Sequence, residues 1–154
     1  MKLPHIFISM GKIFLLILIS GIGCFISCSR GLYCTDSENL YIEYFSEGGF
    51  TGGAAGLTID STGTANLWEK NLNGNRKNTK VIKIDDEKLD RICNLLKDPA
   101  VFSYENNFKG NYTTHLIIRL NNKETNISFN KSDLPEDMPK AIKDLLSELN
   151  NINN

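Results

Sequence analysis

Side chains able to do covalent chemistry are few and unevenly placed in this chain. Cysteines stand at 24, 28, 34 and 93, and past the first thirty residues His115 is the only histidine. A hydrolase built on a nucleophile and a base needs Ser, Cys or Thr within reach of a proton acceptor. His115 falls in "YTTHLIIRL", where alternation assigns Tyr112, Thr114, Leu116, Ile118 and Leu120 to the core side of a strand. Thr113, His115, Ile117 and Arg119 then face outward, and a lone outward histidine is expected to be solvated. Asp85, Asp86 and Glu87 cluster where a helix N-terminus favours negative charge. No cysteines or histidines have metal-ligand spacing. These residues predict a non-enzyme with no cofactor and no metal site.

The cysteines point elsewhere. Lys2 and Lys12 precede an uncharged run from Ile13 to Ser29, the layout of an export signal. "SGIGC" and "CFISCS" both have the small-residue-then-cysteine ending of a bacterial lipoprotein signal, in which the thiol takes a diacylglyceryl group. Cys28, with Ser27 before it and Ser29 after it, is the expected lipidation site, and Cys24 is the alternative. The chain then divides into a signal peptide over 1–27, a polar tether over 28–39 and one domain over 40–150. A retained signal anchor of the same run would also leave the domain facing outward. Cys93 lies on the apolar face of the predicted helix "LDRICNLLKD", where a free cysteine behaves as a small core residue, and a Cys34–Cys93 disulfide is the alternative for an exported protein.

After Cys28 the chain holds 15 Lys and Arg against 18 Asp and Glu, a formal charge of −3. That balance does not steer the protein toward nucleic acid.

The elements that would position a site follow from periodicity. "LYIEYF" and "AGLTID" read as strands, and "STG" as a tight turn into a further strand, "TANLWEK". "NLNGNRKNT" reads as a mobile loop before a short strand, "KVIKI". A helix starting at Asp85 or Asp86 buries Leu89, Ile92, Cys93 and Leu96 and closes at Pro99. "YTTHLIIRL" and "KETNISF" pair across a type I′ turn at Asn121 and Asn122. Met138, Ala141, Ile142, Leu145 and Leu149 mark a second helix with a frayed "NNINN" tail. The expected fold is α+β, an antiparallel sheet of four to five strands with two helices packed on one face.

One stretch stands apart from this pattern. "SEGGFTGGAAG" concentrates glycine around Phe50 between the first two strands. It lacks the Lys-Ser/Thr ending of a phosphate-binding loop and leads into a strand rather than a helix. Two roles remain open for Phe50: a plug folded over the sheet, or an aromatic residue presented to a partner.

The run from "YIEYF" through "GGFTGG", "GLTID", "LDRICNLLKD" and "PAVF" to "YTTHLIIRL" and "LPEDMPKAIKDLL" resembles the protealysin inhibitor emfourin family over about residues 40–149. The resemblance implies a small bacterial α+β protein that blocks thermolysin-like zinc metallopeptidases by binding, with no cofactor. It places partner contacts at Gly48, Gly49, Phe50 and Gly52. The export signal and the long "STGTANLWEKNLNGNRKNTK" hairpin depart from the family pattern. The expected partners are therefore a lipid bilayer, through the N-terminal acyl anchor, and a secreted or envelope metallopeptidase. A structural envelope lipoprotein is the alternative.

Overall fold

Alternation in "YIEYFSEG" sends Ile42 and Tyr44 to one side of a strand and Tyr41, Glu43 and Phe45 to the other, forming β1 (Tyr41–Gly48). The structure, a computed structural model, describes residues 39–49 and 52–153. The expected signal, with Cys24, Cys28 and Cys34, and Phe50 with its neighbour Thr51 lie outside the described residues.

β1 sits inside a six-stranded sheet. The others are β2 (Ala54–Asp60), β3 (Thr64–Lys70), β4 (Arg76–Lys83), β5 (Tyr112–Leu120) and β6 (Lys123–Phe129), in the order β4-β3-β2-β1-β5-β6. Every pairing is antiparallel. Three helices complete the domain: α1 (Asp86–Leu95), the short α2 (Ala100–Ser103) and α3 (Lys140–Asn153). The α+β class is as expected, whereas the described residues hold six strands and three helices rather than four to five and two. All six segments that read as strands join this one sheet, the short "KVIKI" as a full edge strand that is longer than expected. Arg76–Thr79 look like a loop because they are polar, yet they extend β4 at the exposed sheet edge, where nothing requires apolar side chains. Four residues in α2 are too few to display a helical period.

One buried cluster joins the sheet to the helices. Ile42, Leu57, Ile59, Leu116 and Ile118 come from the strands and meet Leu89, Ile92, Ile142 and Leu145, all at most 3% exposed. Each such side chain contributes about 1.5–3 kcal/mol by leaving water. Asp85 caps α1, its carboxylate accepting from Lys88 N–H at 2.8 Å, as the acidic start of that helix suggested. The C-terminal tail does not fray at Asn151: α3 runs on to Asn153 because Ile152 returns to the core at 7% exposure.

Two smaller expectations are corrected. Asn121 takes positive φ (54°), and it is the only non-glycine among the described residues to do so, so the β5–β6 turn is not the two-residue left-handed turn expected. Cys93 is buried as predicted, but it is disulfide-bonded rather than a free thiol. Its partner cysteine lies outside the described residues.

Candidate functional site

The glycine segment closes one end of the sheet. Gly48 N–H donates to Gly53 O at 3.2 Å, Gly49 N–H to Asn111 O at 2.7 Å, and Gly52 N–H to Gly49 O at 3.2 Å. The residue type is dictated most strongly at Gly48. Its φ is 121°, and a Cβ there would lie 2.0 Å from Asn111 O, so no side chain fits. The β1–β2 connection is thereby held against the start of β5.

A second loop reaches the same end. Asn71 shapes the β3–β4 connection, its Oδ1 accepting from Asn73 N–H at 3.1 Å and Asn75 N–H at 3.0 Å. Leu72 at this tip is 72% exposed, and a Cβ added at Gly52 would meet its Cδ2 at 3.8 Å. Tyr112, cross-strand from Gly48, is 56% exposed. The sequence assigned Tyr112 to the core side. It keeps the alternation of Leu116 and Ile118, but among the described residues no helix covers this end of β5. A shallow groove of about 310 Å³ beside Tyr112 is lined by Ser46, Gly48, Ala55 and Glu69 among others. Large apolar groups exposed beside a glycine-built backbone can enter a partner's pocket at little steric cost.

The structure thus brings Gly48, Gly49 and Gly52 together with Asn111, Leu72 and Tyr112, while Phe50, Cys24 and Cys28 fall outside the described residues. Sequence reasoning passed over Leu72 and Tyr112. A lone leucine inside "NLNGN" was a usable signal, since nothing nearby shares its period. For Tyr112 there was none, because alternation cannot show where the helical layer ends.

The sheet face opposite the helices carries the other cluster. Phe45 stacks on His115 with ring centroids 4.7 Å apart and meets Trp68 at 5.5 Å, while Arg76 Cζ lies 3.9 Å above the Trp68 ring. Arg76 also pairs with Glu43 at 2.7 Å, and Glu43 accepts from Tyr41 OH at 2.9 Å. Partial burial, and then that hydrogen bond to a carboxylate, raise the Tyr41 pKa above the usual phenol value. His115 is therefore half-buried on the outward face rather than solvated. Its Nε2 lies 3.3 Å from Glu47 Oε1 but out of line for a hydrogen bond.

A groove of about 690 Å³ borders His115, with Phe102, Asn107, Glu124 and Ser128 among its lining residues. Ser128 Oγ donates to Asn107 Oδ1 at 3.5 Å, and among the described residues no hydrogen bond joins it to His115. The serine and histidine share a wall without forming a nucleophile–base pair. No group of three or more His, Cys, Asp or Glu suited to a metal is found among the described residues. Nor is any helix among them long and apolar enough to cross a membrane.

Comparison of the chain with protein-family models and with characterised proteins finds no match.

Proposed function

We propose that the domain is a protein-binding module held at a bacterial membrane by a lipidated cysteine, and that it occludes a thermolysin-like metallopeptidase in the envelope. The observation that carries this reading is the exposure of Leu72 and Tyr112 on either side of the glycine-built loop end. Inhibition would then be steric. The loop end fills a cleft, and no side chain of this chain reacts.

Export is supported by the disulfide at Cys93, since such bonds persist mainly in oxidising compartments. If Cys28 carries the lipid and Cys24 leaves with the signal, Cys34 is the remaining thiol and the natural partner of Cys93. The loop so closed, about 60 residues, would stabilise the domain by about 4 kcal/mol on chain-entropy grounds.

The test is titration of the full chain, in a non-ionic detergent, against a thermolysin-like peptidase. Falling hydrolysis is expected as the chain approaches micromolar concentration. Unchanged hydrolysis at about 10 μM would limit any affinity to about −7 kcal/mol and remove the inhibitor reading in favour of a structural envelope role. Metabolic palmitate labelling of Cys28→Ala and Cys24→Ala variants tests the anchor, with label expected to vanish in the first alone.

A further inference from the structure

β4 is the edge of the sheet and the most exposed strand in it. Seven of its eight residues are exposed, with only Ile82 partly covered. β3 pairs with one side of it. Among the described residues no strand pairs with the other side, which leaves a row of N–H and C=O groups free to accept an added strand.

Charge is segregated onto this edge. From Lys70 to Lys83 the chain carries five cations and no carboxylate. The rest of residues 39–153 carries nine cations against sixteen carboxylates. A domain with a slight overall negative charge thus presents one strongly positive strand, which the composition alone conceals.

The register decides what that strand could receive. Arg76 lies opposite Lys70 and Lys83 opposite Thr64, on the open face of the sheet, whereas Lys77 opposite Glu69 and Lys80 opposite Leu67 lie on the helix side. The bulge between Leu67 and Trp68 places Lys77 and Lys80 on that same side although they are three apart. Arg76 is already held by Glu43 at 2.7 Å and by the Trp68 ring, and Lys83 Nζ donates to Thr62 O, so the cations left to a partner are Lys77 and Lys80 on the helix side. A second copy of β4 would set four cations against four, which is repulsive. A flat anionic lipid surface could meet those lysines but would leave the row of backbone N–H and C=O groups unpaired. An extended acidic chain would set carboxylates against Lys77 and Lys80 while its backbone completes the open ladder.

We propose that β4 is a docking strand for an acidic extended segment of a partner protein, captured by strand addition. The proposal does not depend on metallopeptidase inhibition, since it concerns a different edge and a different chemistry.

The probe is the peptide Glu-Val-Val-Glu-Thr-Thr-Glu-Glu, added to the full chain held in phosphatidylcholine nanodiscs, with amide hydrogen exchange as readout. Protection confined to residues 76–83 is expected, with affinity falling at least about tenfold in a Lys77→Glu, Lys80→Glu variant and by a similar factor between about 50 mM and 500 mM salt. Both lysines are exposed, so the variant should stay folded, with at most a small loss of melting temperature where Lys77→Glu faces Glu69. Absence of protection at about 1 mM peptide would overturn the proposal. So would equal binding by a version with lysine at every glutamate position. Protection of β4 by phosphatidylglycerol nanodiscs without peptide would assign the edge to lipid, and dimerisation of the free chain through β4 would assign it to a second copy. Either result would also overturn it.

Discussion

The two edges of the sheet are finished in different ways. At β6 the chain covers itself: Ser128 N–H donates to Asn106 O at 2.9 Å, Phe108 N–H donates to Ser128 O at 3.0 Å, and Asn107 forms a parallel bridge with Ser128. β6 also buries Ile127 and Phe129 completely. At β4 the outward backbone is left open and protection comes from charge, with Arg76, Lys77, Lys80 and Lys83 in eight residues. A backbone-capped edge can be opened only by unfolding its cover. A charge-guarded edge repels copies of itself while remaining available to a partner of opposite sign.

That contrast can be broken or sharpened by substitution. The largest effect is expected for Phe129→Ala, which empties a fully buried site at the β6 edge and should cost about 3–5 kcal/mol in chemical denaturation. A loss below about 1 kcal/mol would mean that β6 is as dispensable as β4. Phe108→Pro comes next, because it removes the N–H that caps Ser128 O. We expect a loss of about 1–3 kcal/mol, accompanied by concentration-dependent association visible in sedimentation as the edge is uncovered.

An intermediate effect is expected where the β2–β3 turn meets the end of β4. Asp60 Oδ1 accepts from Thr62 N–H at 2.9 Å, Thr62 Oγ1 at 2.6 Å and Thr64 N–H at 3.1 Å, while Lys83 Nζ donates to Thr62 O. Partial burial pushes the Asp60 pKa up, but these hydrogen bonds outweigh it and hold the carboxyl below its ordinary value. A depressed folded pKa means that the stabilisation is present above the unfolded aspartate pKa, about 3.9, and is lost as pH falls through the lower folded value. Asp60→Ala should therefore cost about 1 kcal/mol at neutral pH, a difference that shrinks below about pH 4. An undiminished difference in acid would show that the carboxylate charge is not what organises the turn. The smallest effect belongs to Val81→Thr on β4, where 64% exposure predicts a change within about 0.5 kcal/mol.

The parts of this architecture that could be read from the chain are those where burial imposes a period. Ile42 and Tyr44, the α1 stripe of Leu89, Ile92, Cys93 and Leu96, and the α3 positions Ala141, Ile142, Leu145 and Leu149 fall where alternation or helical spacing places them, while Met138 is buried from the turn ahead of α3. Solvent imposes no period, so the polar half of β4 looked like a loop. The Cys93 bridge was visible only as an option, since cysteine spacing does not fix pairing. The candidate site was half legible. Glycine density marked the β1–β2 loop, but its apolar neighbours arrive from the β3–β4 tip and from β5, which only the register brings together.

The most direct test of the loop end as a partner surface is amide exchange in the full chain with and without a thermolysin-like peptidase whose catalytic glutamate has been substituted. Slowed exchange is predicted at Gly48–Ala54, Asn71–Asn75 and Tyr112, and a Leu72→Asp variant should lose that protection without losing its melting temperature. Protection restricted to α1 and α3, or none at saturating peptidase, would contradict the account.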